Sequence, residues 1–155
     1  MNSTDELFRE LKPDIEAIIG PLFQLSEKFI KNRGCFLPHG AALMPDDTVQ
    51  LQMAAPQNDL TNSTEVLPLL QLGLREHAKL HSPKAIAIAE DVTITPDGQR
   101  ATQAIKVLVE HKCGLTVALY LPIAKKFMRG YVLGDMFVRE HAPEIKAFAA
   151  PDRLH

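Results

Sequence analysis

Apolar positions fall into two rhythms along this chain, and the change between them marks its elements. Leu7, Leu11, Ile15, Ile18, Ile19, Leu22, Phe29 and Ile30 recur near a 3.6-residue period up to Gly34, which predicts an amphipathic helix. Pro13 and the pair Gly20-Pro21 interrupt that stripe, so kinks or two to three shorter helices are expected. From Cys35 the period drops to two. CFLPHGAALM, the turn residues Pro45-Asp46-Asp47 and then TVQLQMAA read as a hairpin whose first strand begins or bulges at Pro38. In its second strand Val49, Leu51 and Met53 alternate with Gln50 and Gln52, one face dry and one wet.

The polar stretch PQNDLTNS carries several candidate N-caps for a second helix, which runs to about His81 and stops before Ser82-Pro83. KAIAIAEDVTIT then puts isoleucines and Val92 on one parity and alanines on the other. Two apolar faces mark a central strand, and the alanine face admits a close helix. QAIKVLVEH and LTVALYL, joined through Lys112-Cys113-Gly114, form a second tight hairpin. After Pro122 short helical pieces are expected, broken at Gly130, Gly134 and Pro143. The predicted fold is one α+β domain over residues 1–155, with about five mostly antiparallel strands and helices packed on them. Its order, α-β-β-α-β-β-β-α, resembles the profilin-like and roadblock-type arrangement.

Composition narrows the partners. Hydrophobic residues make up 46% of the chain and charged ones 23%, with a net charge of −2, which offers no electrostatic footprint for duplex nucleic acid or an anionic membrane. The acidic start, MNSTDELFRELKPD, lacks a secretory pattern, and no apolar run approaches the roughly 20 residues of a membrane span. Cys35 and Cys113 therefore read as reduced, half-buried thiols of a cytoplasmic protein.

Chemistry is sparse. His77 and His81, one helical turn apart, share the face of Val66, Leu70 and Leu74 and could grip a zinc or other divalent ion. HAKLH lacks the glutamate of HExxH, and a third ligand would have to come from His39, His111 or a carboxylate. The competing interpretation makes both rings partly buried imidazoles near a helix end. Glu110 and His111, as strand neighbours, point to opposite faces and form no dyad by themselves; Glu140-His141 is a similar pair. No phosphate loop, dinucleotide fingerprint or nucleophile elbow occurs. Lys125, Lys126, Arg129 and Arg139, interleaved with Phe127, Tyr131 and Phe137, could meet an acidic partner or a single strand, or be a solvated face.

FLPHGAAL (36–43), the EDV of 90–92, VEHKCG (109–114) and Tyr120-Leu121-Pro122 together resemble an uncharacterised family of small bacterial proteins with FxPxGA and EHxxG hairpins. Here Pro45-Asp46-Asp47 replaces an expected Asp-Gly turn, and Ile123 stands where a tyrosine is expected. The resemblance implies a fold and brings no activity, cofactor or catalytic residue with it.

Two function classes follow. The first is a non-enzymatic module that associates with a second copy or another protein, with Met128, Tyr131, Met136 and Phe137 as apolar contacts and no cofactor. The second is a small metal-dependent or histidine-based enzyme, or a small-molecule sensor, centred on His77, His81 and His39.

Overall fold

The computed structural model describes residues 3–53, 62–125 and 131–148. Its elements are α1 (Ser3–Arg33), β1 (His39–Leu43), β2 (Val49–Gln52), α2 (Ser63–His81), β3 (Ala85–Ile94), β4 (Thr102–His111), β5 (Thr116–Lys125), β6 (Tyr131–Leu133) and β7 (Phe137–Glu140). The architecture is α+β: one antiparallel sheet in the order β2-β1-β3-β4-β5-β6, with β7 also paired to β5. Helices lie on both faces. Odd-numbered residues of β1, β3 and β4 (Ala41, Leu43, Ala85, Ala87, Ala89, Val107, Val109) meet α1, and even-numbered ones (Ala42, Ile86, Ile88, Leu108) meet α2 and Ile145. That division is the one the alternating isoleucines and alanines of β3 predict.

Helix α1 runs as one helix through Pro13 and Pro21 rather than as two to three shorter ones. An interior proline costs about 3 kcal/mol, whereas each large apolar side chain taken fully from water returns roughly 1.5–3 kcal/mol. Ile15, Ile18 and Leu22 are 0–1% exposed, and Ile19, Phe23 and Ile30 are buried beside them, so the stripe outweighs the two prolines. Helix α2 starts on Asn62, whose side chain accepts from the Glu65 amide, and ends on Ser82 in the left-handed region, whose amide donates to the Ala78 carbonyl. Among the described residues no helix is long and apolar enough to cross a membrane.

The chain after Pro122 departs from expectation. Within the described part there is no helix; β6 and β7 instead share the outer edge of β5, opposite Ile123–Lys125 and Val117–Tyr120 respectively. Beyond β7 the irregular segment around Ile145 closes the α2 face of the sheet. Glu110, 3% exposed, accepts hydrogen bonds from the amides of Glu144 (2.9 Å), Ile145 (2.6 Å) and Ala147 (3.1 Å). Arg75 of α2 donates to the Ile145 carbonyl at 3.0 Å, tying the helix to the same segment. Glu110→Ala removes the acceptor for three amides, so a loss of about 3 kcal/mol and selective deprotection of 144–147 in hydrogen exchange are expected.

Gly40 of β1 is where α2 comes closest. A Cβ there would stand 2.9 Å from the Ala87 carbonyl oxygen and 2.9 Å from Leu74 Cδ1. The backbone oxygen cannot yield without moving β3, so Gly40→Ala is expected to cost about 1–3 kcal/mol in urea unfolding. Gly20→Ala, in open space within α1, is expected to be neutral or to add about 0.5–1 kcal/mol.

Candidate functional site

The last turns of α2 bring His77 and His81 together, with ring centres 4.6 Å apart and a tilt of 43°. They do not enter the core as the helical wheel suggests. Val66, Leu70, Leu74 and Ala78 are the buried residues of α2; His77 is half-buried on the flank, and His81 is exposed. The flank overlooks edge strand β2, where Gln50 Oε1 lies 3.0 Å from His77 Nε2. An amide oxygen only accepts, so Nε2 carries the proton and Nδ1 the lone pair. That Nδ1 is buried and has no hydrogen-bond partner among the described residues. Burial, followed by the His81 charge, holds the His77 pKa below its ordinary 6.5.

His39 occupies a different layer. It is fully buried on the α1 face, with Phe29 and Phe36 rings packed around it. Its Nδ1 donates to the Leu37 carbonyl at 3.1 Å, and its Nε2 lies 3.0 Å from Ser26 Oγ. The Ser26 hydroxyl also reaches the Leu22 carbonyl at 2.8 Å, so its single proton lies between two acceptors. Ser26 and His39 have the spacing of a nucleophile and its base, yet both are 0% exposed and no substrate can reach them. The sheet separates His39 from His77 and His81. His111 also belongs to the α1 side: its Nε2 donates to Asp14 Oδ2 at 2.9 Å, while its Nδ1 accepts from the Cys113 amide at 3.1 Å. Among the described residues no group of three or more His, Cys, Asp or Glu side chains is placed to hold a metal.

A second polar cluster had no motif to announce it. Glu90 and Lys106 face each other across β3 and β4, and Glu144 Oε1 reaches Lys106 Nζ at 3.4 Å and His141 Nε2 at 3.3 Å. Burial raises the Glu90 pKa, helped by Glu144 and opposed by Lys106 and His141. The period-two pattern of β3 could have flagged Glu90, which breaks an otherwise apolar parity, and Lys106 is its direct cross-strand partner. Glu144 arrives from 38 residues beyond Lys106 and leaves no local signal. The cluster couples the closing segment to the sheet, as the Glu110 carboxylate does beside it.

The remaining candidates are dispersed. Cys35 and Cys113 are free, as expected; Cys113 is exposed in its hairpin turn, and Cys35 is exposed rather than half-buried. Phe137 stacks on Tyr120 at 5.1 Å, and the Arg139 guanidinium lies 4.8 Å from the Phe137 ring centre. Lys126, Phe127, Met128 and Arg129 lie outside the described residues, as does most of the PQNDLTNS stretch. No family model matches the chain, nor does any curated protein or solved structure. The bacterial-family resemblance therefore gains no support.

His39 makes the fold sensitive to acid. Burial lowers its pKa, whereas in the unfolded chain it titrates near 6.5. The unfolded state then binds the proton more readily, so stability present at neutral pH is lost as pH falls below about 6.5. His39→Gln is expected to flatten that part of the urea-midpoint profile between roughly pH 7 and 5. An unchanged slope would assign the sensitivity to other groups.

Proposed function

We propose that the protein is a non-enzymatic, cytoplasmic association module that pairs with a second copy through the outward face of α2. One observation carries this reading: Leu69, Leu72 and Leu80 point away from the core, 49%, 49% and 76% exposed. At 100° per residue they form a ridge within an arc of about 80°, which Glu76 shares, on the side of the helix away from Leu70 and Leu74. Single exposed leucines are ordinary; three aligned on one helix face are not.

The ridge is also self-complementary. A two-fold axis running between two α2 helices at the level of residues 74–75 sets Leu69 of one copy against Leu80 of the other, twice over. Gly73 then faces Glu76, and the missing side chain lets the helices approach. Glu76 is paired with Lys79 at 3.5 Å on this same side, which limits its charge penalty at the seam. The exposed Met136, at 46%, lies outside the ridge.

Three leucines per copy make a small seam, so reversible dimerisation with a dissociation constant on the order of micromolar is expected. Sedimentation velocity across a micromolar concentration series checks it. Leu69→Glu with Leu80→Glu should give a monomer whose far-ultraviolet circular dichroism is unchanged. A wild-type chain that stays monomeric at the highest concentration overturns the reading.

A further inference from the structure

We infer that His77 and His81 are the protein ligands of an open divalent transition-metal site of the zinc or copper class, with Gln50 as the group that orients it. The site is separate from the leucine ridge and stands or falls without it.

Because Gln50 Oε1 holds the Nε2–H of His77, the neutral ring presents its lone pair at Nδ1. A buried acceptor without a donor costs about 1–3 kcal/mol, which a packed structural histidine would avoid by turning its ring. A metal ion is the partner that such a lone pair suits. Metal-bound imidazoles commonly donate their second N–H to a carbonyl or carboxylate, fixing the tautomer and strengthening the donor nitrogen. Gln50 fills that role from another element, reaching α2 across 27 residues of sequence.

The second ligand is His81, one turn onward. A metal ion about 2.0–2.1 Å from a ring nitrogen lies roughly 3.2 Å from the ring centre. Two centres 4.6 Å apart then subtend roughly a right angle at the ion, within the range of square and tetrahedral sites. His81 is exposed at the helix end, so its ring has room to turn a nitrogen toward an ion held at His77. His39 and His111 take no part, since both lie on the other face of the sheet and have their own partners. With two imidazoles from the chain, the remaining coordination positions belong to solvent or a small anion. Affinity should follow the general order for nitrogen ligands, with copper tighter than either zinc or cobalt.

Titration of untagged, chelator-stripped protein with copper, zinc and cobalt salts tests the site, by calorimetry and by the visible bands of the copper and cobalt forms. One ion per chain and loss of saturable binding in both His77→Gln and His81→Gln are expected. His81→Gln alters an exposed residue and keeps the test valid if His77→Gln folds poorly. Gln50→Ala should weaken binding about 10–100-fold, because it frees the ring that the carbonyl orients. His141→Gln, on the other side of α2, should leave binding unchanged. Absence of saturable binding of copper and zinc, or binding indifferent to His77→Gln and His81→Gln, overturns the site. An unaltered affinity in Gln50→Ala overturns the tautomer on which it rests.

Discussion

A sheet covered on both faces cannot alternate apolar with polar residues, and that constraint governs the centre of this protein. The first five residues of β3 are all buried, as are all five of β1. Having no wet face, β3 divides its two dry faces by size instead. Alanines lie under the long helix α1, and isoleucines lie under the shorter α2, where the loop segment around Ile145 must also be reached. Small residues beneath α1 bring it close enough for its isoleucines to be fully excluded from water. That exclusion holds one unbroken helix through two prolines. Gly40 extends the same economy of volume to the α2 side, where even one methyl group would press on β3.

How much of this could be read from residues alone depended on range. The helical stripe of α1 and the alanine–isoleucine parity of β3 are local patterns, and the structure follows them; the alternation of β2 gives a strand in the expected place but not the expected dry face, since Leu51 and Met53 are exposed on the sheet edge. The turn at Lys112-Cys113-Gly114 is equally local: Gly114 adopts a positive φ of 99°, and its amide donates to the His111 carbonyl. The strands after Pro122 are different. β6 and β7 are three and four residues long, too short for a periodic signal, and their conformation comes from pairing with β5. Local glycines and prolines therefore pointed to broken helix, while a distant edge supplied strand.

The candidate site shows the same limit. The spacing of His77 and His81 is legible in five residues, and the structure brings the rings together. Their position on the helix was not: the wheel put them inward, whereas α2 is narrow enough on the sheet that only four residues are buried. Gln50 carried no signal beyond being the wet position of an alternating strand. Likewise, the sequence shows that Glu110 and His111 form no dyad by themselves but does not show what Glu110 holds. Its use is structural because the amides it holds come from a segment with no recognisable shape of its own.

Glu110 and His111 also have a consequence for strand alignment. One residue of β4 reaches down one face to hold the closing segment, and the next reaches the opposite face to hold Asp14 of α1. A one-position slip of β4 would exchange them, setting a carboxylate against Asp14 and an imidazole against three amide donors. Apolar residues are poor judges of such an error in this sheet, because both faces are dry and a slipped β4 would still bury Val107, Leu108 and Val109. The polar dipeptide supplies the missing discrimination, so the alignment of the central strands is decided by hydrogen-bonding chemistry at one end of β4.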